Sequence, residues 1–376
     1  MHVGILGGGQ LARMMAEAGG PLGLRFSFLD PSADACAGAL GTLHVGSWDD
    51  AAAGRALAAC DRITCDFENV PAAVLADLAD RTSVRPPPAA FAAGQDRLSE
   101  KQLLERLDIP VAPVAEVSSR PDLLAAVEKI GLPAVLKTRR LGYDGKGQEV
   151  LTSVEDLEPA WQRLGGRELI LEGWIDFDHE FALTAVRAVD GEIRFYPISF
   201  TVHRNGVLRL AAAMLDAPAA LQAAAEKALT RLLEELDYVG CLTLEMFATQ
   251  AGLIANEFAP RPHNSAHWTI EGAVTSQFEN HLRAVCDLPL GSTRPRGVSL
   301  MLNWLGALPD RNAWLGVPGL AWHDYHKSPR PGRKVGHATV VAEDREALGR
   351  ILAGIRPLLD ADTAELLART DLETGG

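Results

Sequence analysis

The sequence predicts a mixed chain, α/β at its start and α+β after it, with a doubly wound parallel sheet followed by a region rich in antiparallel strands. Three observations carry this. Short apolar runs alternate with Ala-rich helical segments in the first 95 residues. The run Pro86-Pro87-Pro88 then breaks the alternation. From residue 180 to 259, apolar runs follow one another with one long amphipathic helix among them.

His2 to Leu6 is a compact apolar strand, and Gly7-Gly8-Gly9 turns into a helix expected over residues 10–18. A second strand over 25–29 ends at Asp30, and 62–65 reads as a third or fourth, with a helix over 72–80 behind it. A helix over 96–107 follows the proline run, and Ile109-Pro110-Val111-Ala112-Pro113 reads as a linker. A small unit over about 121–175 alternates a helix at 123–130, a strand at 134–137, a glycine-rich loop, a helix at 154–164 and a strand at 169–172. Within the antiparallel region, Leu221, Ala225, Leu229, Leu232, Leu233 and Leu236 mark a helix over 217–236. Strands at 298–302 and 338–341 with a helix at 345–359 form a smaller terminal unit, and residues 373–376 are expected to fray. The domain boundaries follow as 1–95, 96–290 with a lid subdomain at about 121–175, and 291–376.

At 376 residues the chain has room for roughly two or three cores. A net charge of -13 argues against general nucleic-acid binding, which leaves a basic footprint. Cys36, Cys60, Cys65, Cys241 and Cys286 are odd in number and contain no C-x-x-C pair, which suits a reducing cytoplasm. The N-terminus lacks a signal peptide's basic flank, and no apolar run approaches the roughly 20 residues of a membrane span.

Five constellations could carry chemistry. Gly4-x-x-Gly7-x-Gly9 at a strand-to-helix turn, with Asp30 ending the next strand, imitates a dinucleotide fingerprint. A tight turn without a dinucleotide fits it equally well, and Gln10 leaves room for another phosphorylated ligand. Lys137 ending a strand, then Gly142-Tyr143-Asp144-Gly145-Lys146-Gly147-Gln148, reads as a lid over polyphosphate, with a surface hairpin carrying solvated Lys as the lesser alternative. Glu172-Gly173-Trp174-Ile175 could offer backbone groups to an adenine edge, with Glu180 near the ribose; separately these are ordinary strand positions. Glu245 and Glu257 lie on two runs joined by a turn at 250–252, so an antiparallel hairpin brings both acids to one end of one face. With Asn256 they suit magnesium, or manganese, shared with nucleotide phosphates. Arg261, His263 and Asn264 follow on a Pro-punctuated loop, more polar groups than a structural hairpin needs. Finally, Lys327, Arg333, Lys334 and His337 form a basic stripe in an acidic protein, either a solvated loop or an anion clamp.

Taken together, G-G-G-Q-L-A-R-M, D-F-E-N-V, Q-D-R-L-S-E-K, G-Y-D-G-K-G-Q, N-E-F-A-P-R-P-H-N-S-x-H-W-T and G-R-K-V-G-H resemble, in that order, the N5-carboxyaminoimidazole ribonucleotide synthetase family of the ATP-grasp superfamily. The resemblance covers essentially the whole chain. It implies an ATP-grasp fold after a Rossmann-like N-terminal domain and before a small C-terminal one. It also implies a cytoplasmic homodimer that carboxylates aminoimidazole ribonucleotide with ATP and bicarbonate through carboxyphosphate. By resemblance, ATP contacts fall on Arg97, Lys137, the loop 142–148, Glu172, Gly173, Trp174, Ile175, Glu180, His203, Asn256 and Glu257, with magnesium on Glu245 and Glu257. Gly9, Gln10, Leu11, Glu68, Tyr143, Asn264, Lys327, Arg333 and Lys334 would face the ribonucleotide, and Arg261, His263, Lys146 and Tyr143 the chemistry. Three positions depart from the family pattern: Ala12 for a common Gly, Cys65-Asp66 for a Tyr-Glu-type pair, and His326 for Gly. Another carboxylating or formylating ATP-grasp ligase is the near alternative, and an NAD-dependent oxidoreductase the distant one.

Overall fold

The protein is described by a computed structural model covering residues 1–142, 145–215 and 217–370. The segment 373–376, expected to fray, lies outside the described residues. The described strands form three sheets. The first is parallel, in the order β3-β2-β1-β4, built from β1 (His2–Leu6), β2 (Arg25–Asp30), β3 (Thr42–Val45) and β4 (Arg62–Cys65). Side chains alternate across it. Val3, Ile5, Phe26 and Phe28 pack with helix Gln10–Gly19, whereas Leu6, Leu29, Ile63 and Cys65 pack with Leu57, Leu75 and Phe91 on the other face.

The second sheet, order β5-β8-β6-β7, is a small antiparallel unit of β5 (Val114–Val117), β6 (Ala134–Thr138), β7 (Gln148–Leu151) and β8 (Leu169–Gly173). Helix Arg120–Ile130 covers it from a Ser119 cap and a Pro121 in the first turn, starting before the residue 123 expected from the apolar period. The segment expected as one helix over 154–164 splits into a 3-10 turn, Val154–Asp156, and helix Leu157–Leu164.

The third sheet holds nine strands: β9 (His179–Arg187), β10 (Ile193–Phe195), β11 (Ser199–Arg204), β12 (Val207–Ala213), β13 (Gly240–Thr249), β14 (Gly252–Ala259), β15 (Val298–Leu305), β16 (Leu320–Asp324) and β17 (Lys334–Ala342). Its order is β14-β13-β9-β11-β12-β15-β17-β16, with β10 beside β9. The terminal unit is therefore not a detached sheet, because β15 pairs directly with β12. Helix Ala219–Glu235 buries Leu229, Leu232 and Leu233 in a core with Leu242 and Leu244.

One buried side chain ties the first sheet to the third. His281, on helix Gln277–Val285, accepts from the Cys241 amide at Nδ1 (3.1 Å), so its Nε2–H donates to Thr64 Oγ1 (2.7 Å). Burial pushes its pKa down to about 3 from an ordinary 6.5. The unfolded chain then binds the extra proton between those values, and stability drains away as pH falls through that window. His281→Gln is expected to cost stability at pH 7 but to flatten the acid limb, by up to about 1.4 kcal/mol per pH unit. Urea denaturation at several pH values reads this; an unchanged slope would show that His281 titrates alike in both states.

Candidate active site

The three sheets face one cavity of about 820 Å³. The β13–β14 hairpin forms its floor. In its ladder Glu245 stands directly opposite Glu257, and the register slips by a bulge between Glu245 and Met246. Such a bulge adds local twist and re-aims the side chains beside it. Glu245, Phe247, Asn256 and Glu257 all reach the cavity wall.

Two facing carboxylates repel. Burial pushes Glu245 up to about 8, with Glu257 and then Glu180 adding to the shift and His203 opposing it. His203 Nδ1 lies 2.7 Å from Glu180 Oε2; burial works against its charge, yet the Glu180 contact outweighs that and leaves the ring above its ordinary value. His263 is the opposite case. Burial, then the Arg261 charge, hold it well below its ordinary range. Its Nδ1 accepts from the Ser265 amide (3.3 Å), so the proton sits on Nε2, 3.1 Å from Glu245 Oε1.

These donors fit a hard divalent cation. One ligand atom each from Glu180, His203 and Glu245 lies within 4.8 Å of the others, and Glu257 faces Glu245 from the next strand. Carboxylate oxygens of this number suit magnesium or manganese, and a cation between them offsets the burial and the repulsion that together raise Glu245.

Behind the hairpin, helix Arg97–Arg106 supplies a cationic wall. Asp96 caps it, accepting from Leu98 (3.0 Å) and Ser99 (3.4 Å) while pairing with Arg139 and Arg140. Arg97 then approaches Glu257 (3.6 Å), and Lys101, one turn on, donates to the Asn256 carbonyl (2.6 Å). Its neighbour Glu100 accepts from the Phe258 amide (2.6 Å), so two side chains close the free edge of β14 on either side of Glu257. Lys137, on β6, lies 2.7 Å from Glu172 on β8. Burial pushes Glu172 up, but Lys101 and Lys137 outweigh it and hold the carboxyl at about 2.

The described residues of the glycine-rich loop, 142 and 145–148, lie against this wall. A Cβ on Gly142 would stand 2.7 Å from Arg97 Nη2, and one on Gly145 would stand 2.6 Å from the Asn205 carbonyl in the β11–β12 turn. Gly142, Gly145 and Gln148 line the cavity, whereas Lys146 points to solvent and Gly147 abuts Thr138. Tyr143 and Asp144 lie outside the described residues. Glu172 and Gly173 sit behind the wall, and Ile175 lines a second hollow with Trp174 and Gln250.

On the far side, Gly9, Gln10, Leu11 and Glu68 come from the first sheet to meet Arg261, His263, Asn264 and Lys334. Arg261 is ion-paired with Glu68, and Lys327 donates to Gln10 Oε1. Asn264 and Asn303 exchange amide hydrogen bonds (2.7 and 3.1 Å). Arg333 bonds Ser328 and stands behind Lys327, off the cavity wall. His326 has φ +54, a backbone region that favours glycine and explains the Gly usual there; its amide is held by Asp324 at 2.6 Å.

The Gly7–Gly9 turn does not offer a dinucleotide site. Asp66 Oδ2 accepts from the Gly9 (2.7 Å) and Ala12 (3.3 Å) amides, where a pyrophosphate would bind, and Asp30 is taken by the Gly8 amide (2.8 Å). Burial pushes Asp66 up to about 6 despite those two amides. Gly7 has φ +104 and would place a Cβ 1.5 Å from Asp66 Oδ1, and a Cβ on Gly9 would stand 2.9 Å from Oδ2, so these two glycines make room for the carboxylate.

Sequence reasoning missed Glu100, Lys101, Asp66 and Phe247. Phe247 was within reach, because it follows Glu245 by the strand period of two and stacks on Phe177 at 4.7 Å.

Comparison with known proteins divides the chain into three matches. Residues 1–95 match the ribonucleotide synthetase preATP-grasp domain, 102–278 the ATP-grasp domain, and 299–350 the phosphoribosylaminoimidazole carboxylase C-terminal domain. An N5-carboxyaminoimidazole ribonucleotide synthase of Pseudomonas aeruginosa is 49% identical over 362 residues, covering 96% of this chain and 100% of that one. The N5-carboxyaminoimidazole ribonucleotide synthetase structure from Thermus thermophilus superposes with a TM-score of 0.91 at 49% identity, covering 95% and 98% of the two chains. An N5-carboxyaminoimidazole synthase from Aspergillus clavatus, solved with ADP and 5-aminoimidazole ribonucleotide, superposes at 0.88 with 32% identity, covering 97% and 98%.

The acid pair sets a stability prediction. Above about pH 8, where Glu245 is ionised, Glu257→Gln removes one of two facing charges, so the ligand-free variant is expected to melt at or slightly above the wild-type temperature, a gain of about 0.2–1 kcal/mol at most. A loss above about 2 kcal/mol would mean that the Arg97 contact outweighs the repulsion.

Proposed function

The chain belongs to the N5-carboxyaminoimidazole ribonucleotide synthases, a family of ATP-grasp ligases, and we propose that magnesium and bicarbonate complete its reaction in the cavity between the three sheets. It carboxylates 5-aminoimidazole ribonucleotide to N5-carboxyaminoimidazole ribonucleotide with ATP, in purine biosynthesis. The observation that carries the finer reading is the facing pair Glu245 and Glu257, set between the Lys137 wall and the Arg261 tail.

Glu245 and Glu257, with Glu180 beside them, would hold the magnesium. When bound it would neutralise phosphate oxygens as charge develops on them. Lys137 and Arg97 would meet the nucleotide phosphates, and the Gly142–Gln148 loop would cover them and keep water out. Phe247 and Trp174 offer apolar surface for the adenine, with the Glu172–Ile175 backbone at its edge and His203 and Glu180 toward the ribose.

Bicarbonate would lie against Arg261 and His263. His263 is neutral with its proton on Nε2, so it can donate a hydrogen bond to an oxyanion without repelling a cation held by Glu245. Attack of bicarbonate oxygen on the γ-phosphorus breaks the bond to ADP and forms carboxyphosphate. The exocyclic amine of the ribonucleotide then takes the carboxyl carbon, or carbon dioxide released inside the closed site, and phosphate leaves. Glu68, paired with Arg261, would accept a hydrogen bond from that amine. Gln10, Lys327 and Lys334, with Leu11 and Asn264 nearby and the Arg333 charge behind Lys327, would hold the ribonucleotide end that carries the 5′-phosphate. We also place the protein in the cytoplasm as a homodimer, in keeping with five buried free cysteines and the family resemblance. No helix among the described residues is long and apolar enough to cross a membrane.

ADP release is expected to need both bicarbonate and aminoimidazole ribonucleotide, and Glu257→Gln is expected to lower kcat by about 100-fold or more while the protein stays folded. An assay with each substrate omitted in turn checks this. Equal ADP release without the imidazole, or wild-type turnover in the variant, would overturn the assignment.

A further inference from the structure

One carboxylate in this site has two cations where a single pair would suffice. Glu172 Oε2 lies 2.7 Å from Lys137 Nζ and 3.6 Å from Lys101 Nζ. The two lysines belong to different bodies. Lys137 is on β6 of the small sheet, beside Glu172 on β8, and lines the cavity; Lys101 is on helix Arg97–Arg106 and is 2% exposed. Lys101 is also fixed by its second bond, to the Asn256 carbonyl at 2.6 Å, and has no route to a ligand in the cavity.

The arrangement poses a problem for binding. Glu172 is 4% exposed, and the lysine nearest to it is the one that faces the cavity where nucleotide phosphates would lie. If Lys137 turned to a phosphate with nothing else present, a buried carboxylate would be left uncompensated, which is strongly disfavoured. The enzyme would then hold Lys137 against Glu172 and bind nucleotide poorly. Arg97 also reaches Glu172 with its field, but it is committed to Glu257 at 3.6 Å.

We propose that Lys101 is a positioning residue: it takes over Glu172 as the buried counter-ion when Lys137 leaves for the nucleotide phosphates. This rests on the reading that Lys137 binds phosphate. The hand-over crosses from body to small sheet, so it also ties the small sheet to the strand that carries Glu257 at the moment nucleotide enters. Lys101 touches neither substrate; its direct partners are Glu172 and Asn256, and its charge also reaches Glu100 and Glu257.

The test compares Lys101→Met, Glu172→Gln, the double variant and Lys137→Met by calorimetric titration with magnesium-ADP, together with KM for each substrate. Lys101→Met is expected to weaken ADP and raise KM for ATP at least tenfold, with KM for the ribonucleotide within twofold of wild type. A general structural defect would move both constants. In the double variant the carboxylate is gone, so Lys137 is free again; its ADP affinity should match Glu172→Gln alone within twofold. Wild-type ADP affinity in Lys101→Met, or losses that multiply in the double variant, would overturn the hand-over. Unchanged ADP affinity in Lys137→Met would instead overturn the phosphate reading beneath it. The double variant removes Glu172 together with its buried counter-ion, and its comparison with Glu172→Gln stands if Lys101→Met fails to fold.

Discussion

Two carboxylates facing each other across adjacent strands, Glu245 and Glu257, form an arrangement that a folded protein tolerates only with a cation, a hydrogen-bond donor or a proton close by. The rest of the site supplies a cation and a neutral donor. Arg97 approaches one acid, the His263 Nε2–H approaches the other, and Glu180 turns toward His203 instead of adding an unpaired charge. Each donor comes from a different part of the chain. The hairpin lies at one edge of the nine-stranded sheet, Arg97 on the helix that closes that edge, and His263 on the loop leaving β14. Moving any of these elements would expose the repulsion, so electrostatics constrains how the bodies pack as much as their apolar cores do.

The same logic explains the N-terminal turn. A glycine-rich strand-to-helix connection usually signals amides free to bind phosphate. Here Asp66 already occupies those amides, with Gly7 at φ +104 making room for its carboxylate. Sequence pattern alone cannot separate the two cases, because the occupying residue comes from β4's end, more than 50 positions away. The turn thereby becomes a rigid platform that presents Gln10 to Lys327 and the cavity.

Much of the fold was legible because its strongest elements repeat cleanly. β1, β2, β4 and the helix Ala219–Glu235 lie within a few residues of where the apolar period puts them. The missed strands share a weakness. β3 and β16 have few or no fully buried residues, and β5 has one, so no clear alternation marks them. The junction of β12 with β15 was invisible for another reason: it joins residues about 90 positions apart, and nothing local encodes it. The candidate site shows the same division. Glu245, Glu257, Arg261 and His263 stand out as polar residues on an apolar hairpin and its tail, and they do converge. Glu100 and Lys101 look like a solvated charged pair on a helix; they are buried because the free edge of β14 needs a donor and an acceptor from outside the sheet.

We propose that the facing acids are one hard-cation site shared with nucleotide. Its most direct measurement is anomalous diffraction from crystals grown with manganese and ADP. A single strong peak or an adjacent pair between Glu245 and Glu257, held by their carboxylate oxygens, is the expected result. Well-ordered ADP in the cavity with no anomalous density between those two carboxylates would contradict it.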